Sequence, residues 1–241
     1  MIPLKDDNPT DISPLVTVSI IGLATAAFLY QLSLGDRPGR TFVYQYGTIP
    51  SALFGYGSLS ANIAAISPVM TLFTSMFLHG GFLHLIGNML YLWIFGNNVE
   101  DAMGHARFIL FYILSGIAAA LSHALTSPAS DIPMIGASGA ISGVLGAYLL
   151  LYPRAYVLVL IPLGFFTRMM YVPAWIVLGF WFLLQLLSGG ASLGRGGGGV
   201  AWFAHVGGFV SGMLLVGLFK RRSVRFFNPP HKHPSGFSSR W

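Results

Sequence analysis

Ser138 stands in the run Gly136-Ala137-Ser138-Gly139-Ala140-Ile141-Ser142-Gly143, which leads straight into the apolar stretch Val144-Leu145-Gly146-Ala147-Tyr148-Leu149-Leu150-Leu151. Gly136 and Gly139 leave room for a second backbone or a substrate to approach the hydroxyl. Taken alone, the run reads either as a nucleophile at the mouth of a helix or, more commonly, as a packing surface of small residues. A hydroxyl attacks only when a base takes its proton, and imidazole is the usual base. His205, in Ala204-His205-Val206-Gly207-Gly208, is such a group inside another apolar stretch. Asn88 and His84 are four residues apart and share one helical face, so the amide and the ring could donate to a developing oxyanion. Each has a plainer reading: His205 as a histidine bonded to a backbone carbonyl, Asn88 as glue between helices. The seven acids (Asp6, Asp7, Asp11, Asp36, Glu100, Asp101 and Asp131) all fall in tails, loops or span ends. The chemistry is therefore that of a Ser–His dyad without the carboxylate that orients the imidazole of a triad. Packing must orient His205 instead, and Gly208 and Gly212 form a row that allows close contact with Gly139 and Gly143.

The elements that must position these groups are membrane helices. The 241 residues are 54% hydrophobic and 8% charged, with a mean hydropathy of +0.70, whereas soluble domains carry about 25% charged residues. The fold class is all-α, a polytopic membrane bundle of six spans expected at about 15–34, 82–96, 108–125, 135–151, 171–187 and 200–219. Residues 1–14 form a short polar cytoplasmic segment without signal-peptide character, residues 15–219 the membrane domain, and residues 220–241 a basic tail. Between the first two spans, residues 35–81 make a loop too apolar for a plain linker, with a short helix expected from Val69 to Leu78, begun by Pro68 and stopped by Gly80-Gly81. Asn97-Asn98-Val99-Glu100-Asp101 is expected to return the chain to water. The glycine-rich stretch from Gly189 to Gly199 is expected to be mobile and to cap the site.

Six spans put both termini on one side, which then holds ten of the thirteen basic residues. By the positive-inside rule that side is the cytoplasm, in the cell membrane. Spans two, four and six then enter from the outer face, with Ser138 ~4.5 Å, His205 ~7.5 Å and Asn88 ~9 Å along their helices. Polar groups from three helices at a common depth suggest function. The net charge of +6 comes largely from the tail and fits lipid, not nucleic acid. No cysteine is present, so disulfide and thiolate chemistry are excluded.

Taken together, these motifs resemble those of the rhomboid intramembrane serine proteases. Gly136-Ala137-Ser138-Gly139 is similar to that family's nucleophile motif, and Ala204-His205-Val206-Gly207-Gly208 with Gly212 to its histidine motif. His79, His84 and Asn88 match its His…His…Asn signature, Glu100, Gly104 and Phe108 the segment after its second span, and Tyr46-Gly47-Thr48-Ile49-Pro50 part of its first loop. The resemblance implies a six-helix rhomboid-like bundle whose first loop is partly embedded in the membrane, with a water-filled cavity open to the outer face. It implies Ser138 as nucleophile, His205 as base, and an oxyanion site from Asn88, His84 and the Ser138 backbone N–H. His79 becomes an anchor of the first loop, with Gly136, Gly139, Gly208 and Gly212 as structural support. Ser142 occupies a position where members often carry an aromatic stacked on the histidine, so support for His205 must come from elsewhere. The partners are transmembrane protein substrates and the lipid bilayer, with no cofactor and no metal. The competing readings are an inactive rhomboid-like protein that binds transmembrane helices, a metal or haem protein using His84, His123 and His205, and a channel or transporter.

Overall fold

The computed structural model describes residues 1–57, 60, 63–163, 166–192 and 201–229. In chain order the elements are β1 (Ile2–Asp6), α1 (Leu15–Ser33), α2 (Asp36–Tyr46), α3 (Pro50–Phe54), α4 (Pro68–Thr74) and a 3₁₀ turn at Ser75–Phe77. There follow α5 (Phe82–Tyr91), a π-helical stretch at Leu92–Gly96, α6 (Asn97–Met103), α7 (His105–Thr126) and α8 (Ser138–Leu151). The chain then forms β2 (Tyr156–Leu163), β3 (Phe166–Pro173), α9 (Ala174–Ser192) and α10 (Trp202–Phe219).

Among the described residues, α1, α7, α9 and α10 are each long and apolar enough to cross a bilayer, and the segment pair Pro68–Phe77 and Phe82–Met103, bent by 83°, makes a possible fifth crossing. In α1 the buried residues Val16, Ile20, Ala24 and Phe28 recur at four-residue spacing, while Leu15, Leu23 and Leu29 are exposed. One stripe faces protein and the other faces lipid, where apolar exposure costs nothing. α8 differs. Its 14 residues reach only ~21 Å, short of a ~30 Å hydrocarbon core. It is buried from Gly139 to Tyr148 and packs between α7 and α10, so protein rather than lipid surrounds it.

The close approach of α8 and α10 depends on missing side chains. A Cβ on Gly208 would collide with the carbonyl of Gly139, and one on Gly212 with the backbone of Gly143. The two rows therefore lock backbone against backbone, and His205 enters the structure one helical turn from this contact.

The first loop is mostly helical and is fastened to the segment that leads into α8. Thr48 and Met134 exchange backbone hydrogen bonds of 3.0 and 2.8 Å. The Ser51 hydroxyl donates to the Asp131 carboxylate at 2.5 Å, and the Thr74 hydroxyl donates to the Tyr46 carbonyl at 2.6 Å. The bonds of Thr48 and Ser51 tie the loop to the segment before Ser138, and that of Thr74 holds the loop to itself.

Three expectations are corrected. Residues 97–101 do not return to water: they begin α6, where Glu100 is fully buried. Its carboxylate accepts the backbone N–H groups of Val16 (2.9 Å) and Thr17 (2.8 Å) and the Thr17 hydroxyl (2.7 Å), with His105 Nδ1 at 2.6 Å. A carboxylate here satisfies orphan donors of α1 and complements its dipole. The neighbouring Asp101 pairs with Arg221 at 2.9 Å, tying the end of α10 to the same knot. The helix of the fifth expected span, α9, begins at Ala174 and not near Tyr171, because Tyr156–Leu163 and Phe166–Pro173 form two antiparallel strands with Leu158 opposite Tyr171 and Leu160 opposite Met169. Nor are residues 1–14 simply a polar tail: β1 pairs antiparallel with β2, Ile2 opposite Leu160 and Asp6 opposite Val157. Val157 and Val159 are fully buried beneath this sheet, which gives β1 an apolar surface to close.

Candidate active site

Ser138 is the first residue of α8, so its N–H has no partner within the helix. His205 lies in the first turn of α10. Although 67 residues apart in sequence, Ser138 Oγ and His205 Nε2 are 2.9 Å from one another. The other ring nitrogen, Nδ1, is 2.7 Å from Gln185 Oε1 on α9.

His84 and Asn88 come from α5. His84 Nδ1 accepts the Gly80 N–H at 3.3 Å, so in the neutral ring the proton sits on Nε2. That nitrogen faces Gly136, whose φ of +122° lies in the region that only glycine adopts readily. A Cβ there would lie 2.8 Å from His84 Nε2 and 3.7 Å from Asn88 Nδ2. The two donors thus converge beside Gly136, two residues before Ser138. Asn88 is 9% exposed and its Nδ2 has no hydrogen-bond partner, which leaves an amide donor free at this point.

His79 does not join them. It is fully buried, its Nδ1 donates to the Phe77 carbonyl at 3.3 Å, and its own carbonyl accepts from Gln31 Nε2 at 3.0 Å. Its ring meets that of His84 edge-on at 5.1 Å, so it braces the turn between the bent segments. The Ser142 hydroxyl turns back to the Ser138 carbonyl at 2.6 Å and gives the imidazole no support. Trp181 and Trp202 flank the His205 ring instead, with centroids at 5.8 and 6.2 Å. Among the described residues no group of three or more His, Cys, Asp or Glu is arranged to hold a metal ion. The glycine-rich stretch expected to cap the site lies outside the described residues from 193 to 200.

A narrow cavity of ≈ 20 Å³ adjoins Ser138, with Gly116, Ala119, Ala120, Gly139 and Ala140 among its lining. That is room for about one water molecule.

Gln185 is the site residue that sequence reasoning missed. It is a polar side chain within Trp181-Phe182-Leu183-Leu184-Gln185-Leu186-Leu187, and a polar group in a span is a functional pointer in its own right. Its distance from the glycine motifs concealed it. The flanking role of Trp202 had no sequence signal, since aromatics are common near span ends.

Helices long and apolar enough to cross a bilayer define a polytopic membrane protein, and a bonded serine–histidine pair lies between the shorter α8 and the spanning α10. A Rhomboid domain model matches residues 67–222. The chain belongs to the rhomboid family. It is 32% identical over 231 residues to Rhomboid protein 1, mitochondrial, of Saccharomyces cerevisiae, covering 84% of this chain and 63% of that one. It is 38% identical over 102 residues to Rhomboid protease GluP of Bacillus subtilis, covering 42% of this chain and 20% of that protein. With RHOMBOID-like protein 5 of Arabidopsis thaliana it shares 37% identity over 93 residues, 39% of this chain and 30% of the relative. The alignments thus cover from 20% to 63% of these relatives' own lengths.

Proposed function

We propose that the chain is an intramembrane serine endopeptidase that cleaves single-span membrane proteins through a Ser138–His205 dyad. The observation that carries this reading is the 2.9 Å contact of Ser138 Oγ with His205 Nε2, set beside two convergent donors in a rhomboid. Ser138 Oγ attacks the substrate carbonyl carbon while its proton passes to His205 Nε2. The carbonyl oxygen becomes an oxyanion, held by Asn88 Nδ2, His84 Nε2–H and the Ser138 backbone N–H. His205 then gives the proton to the leaving amine, and water, deprotonated by the same imidazole, hydrolyses the acyl ester.

The substrate class follows from backbone geometry. A helix in lipid has its carbonyls engaged, and freeing them costs several kcal/mol each in hydrocarbon. Cleavage therefore falls near the outer membrane boundary, in spans whose Gly, Pro or polar residues let the helix unwind. The alanines and glycines around the cavity beside Ser138 favour a small residue before the cut. The protease unit is residues 15–219, set in the cell membrane with both termini cytoplasmic.

The test is cleavage of a single-span substrate by the purified protein in liposomes. Wild type should cut and Ser138→Ala should not, and replacing a helix-breaking pair in the substrate by leucines should slow the cut. A folded wild type that binds the span without cutting it would instead make the chain an inactive rhomboid-like binder of transmembrane helices. Undiminished cleavage of the stiffened span would remove unwinding as the basis of selection.

A further inference from the structure

We propose that Gln185 is the positioning residue for His205, holding the imidazole with its proton on Nδ1 so that Nε2 stays free to take the Ser138 proton. This inference rests on the reading of Ser138 and His205 as a dyad and supplies the orienting group that the sequence did not reveal.

The geometry fixes the direction of each bond. Gln185 Nε2 donates to the Trp181 carbonyl at 3.2 Å, one turn earlier in α9. A carbonyl can only accept, so the NH₂ end of the amide must face Trp181 and the oxygen must face His205. Gln185 Oε1 is 2.7 Å from His205 Nδ1, and an amide oxygen can only accept. Nδ1 therefore carries the hydrogen. In a neutral ring Nε2 is then an acceptor, and the Ser138 hydroxyl 2.9 Å away donates to it. The opposite tautomer would aim a hydrogen from Nε2 at Ser138 and leave Nδ1 facing the Gln185 oxygen, lone pair to lone pair.

The amide is held firmly enough to impose this choice. Gln185 is 6% exposed, and the rings of Trp181 and Trp202 border the imidazole. No acidic side chain among the described residues is hydrogen-bonded to His205, so nothing else in the described structure competes for Nδ1. A neutral amide sets tautomer and ring orientation as an aspartate would, but adds no negative charge to stabilise the imidazolium.

Gln185→Met keeps the length and bulk of the side chain and removes the acceptor. Imposing the wrong tautomer on a soluble triad costs about 10⁴ in kcat; removing the preference without reversing it should cost less, roughly 10–100-fold, with KM within about twofold. Gln185→Glu should restore most of the rate, because a protonated carboxyl offers a carbonyl to Nδ1–H and an O–H to Trp181. A residue that serves packing alone would be replaced as well by methionine as by glutamate.

The experiment pairs turnover with a direct view of the ring. Full-length protein carrying ¹⁵N-histidine is compared by NMR with His205→Ala, which identifies the His205 signals. Wild type should show a hydrogen on Nδ1 and none on Nε2, and Gln185→Met should shift the ring toward the other tautomer. A wild-type spectrum with the hydrogen on Nε2 would overturn the proposal. So would a Gln185→Met protein that keeps the wild-type tautomer or rate, or a Gln185→Glu protein as slow as the methionine variant. These results are separable from failure of the proposed function, in which wild type itself cleaves nothing. Wild-type cleavage that Ser138→Ala abolishes and Gln185→Met leaves intact would remove this inference alone.

Discussion

The substitution Gly208→Ala should disable the site by moving a helix and not by touching a reactive group. Its Cβ would collide with the Gly139 carbonyl, and backbone on a buried neighbouring helix cannot step aside as a flexible side chain can. To reach ordinary contact, α8 and α10 must part by about 1 Å, and a misplacement of that size can cost about 10²-fold in rate. Gly208 lies one turn beyond His205 and Gly139 directly follows Ser138, so the separation falls on the 2.9 Å dyad contact. A further ~1 Å takes it outside hydrogen-bonding distance. Overpacking of this kind should also lower stability by about 1–3 kcal/mol. The matched control is Gly217→Ala on the same helix, where the new Cβ finds only Phe226 at an ordinary 3.7 Å. Both variants are assayed for substrate cleavage in liposomes and for thermal midpoint in detergent. Loss of kcat by about 10² or more in Gly208→Ala, with Gly217→Ala near wild type, is the expected pattern. A folded Gly208→Ala variant with wild-type kcat would refute the idea that this glycine contact sets the Ser138–His205 distance.

Three further outcomes are expected. Because dyad members act as a unit, the Ser138→Ala/His205→Ala double variant should be no slower than either single variant, and additive losses in kcat would separate the two residues. Asn88→Ala should lower kcat by somewhat less than the ~10²–10³ typical of a lost oxyanion donor, since His84 and the Ser138 N–H remain; an unchanged rate would take Asn88 out of the site. Asp6, in β1, accepts the Tyr148 hydroxyl at 2.6 Å, yet burial outweighs that bond and raises its pKa from 3.8 to about 6. The folded state therefore holds the Asp6 proton more tightly than the unfolded one, so its contribution is full below about pH 4 and is lost as pH rises to about 6. Asp6→Asn should remove that slope from the thermal midpoint between pH 4 and 6, and identical pH profiles for the two proteins would contradict it.

Much of this molecule is legible in its sequence because the relevant physics is local. Runs of apolar residues near 20 in length announce helices that must satisfy their own backbones in lipid. Pro68 and the Gly80-Gly81 pair mark the start and the stop of the short helix of the first loop in the same way. Ser138, His205, His84 and Asn88 were visible as reactive or polar groups in places where such groups are costly, and the glycine rows as surfaces of close approach. Other features belong to pairs that sequence distance hides. Glu100 reads as a loop acid because nothing near it shows that the start of α1, 83 and 84 residues earlier, will bring two N–H groups and a hydroxyl to its carboxylate. Residues 156–163 fall between the fourth and fifth expected spans, and nothing in their own run says what they form. Only the antiparallel pairing of that segment with β1 and β3 makes it a strand, because a strand's hydrogen bonds are made to other segments. Gln185 is one amide in an apolar helix until α9 sets it 2.7 Å from His205. Composition and local pattern determined that this chain enters a membrane and which side chains could do chemistry. Tertiary structure decided which nitrogen meets the serine and which residue holds the other, since hydrogen bonds of that kind depend on distances that only packed helices define.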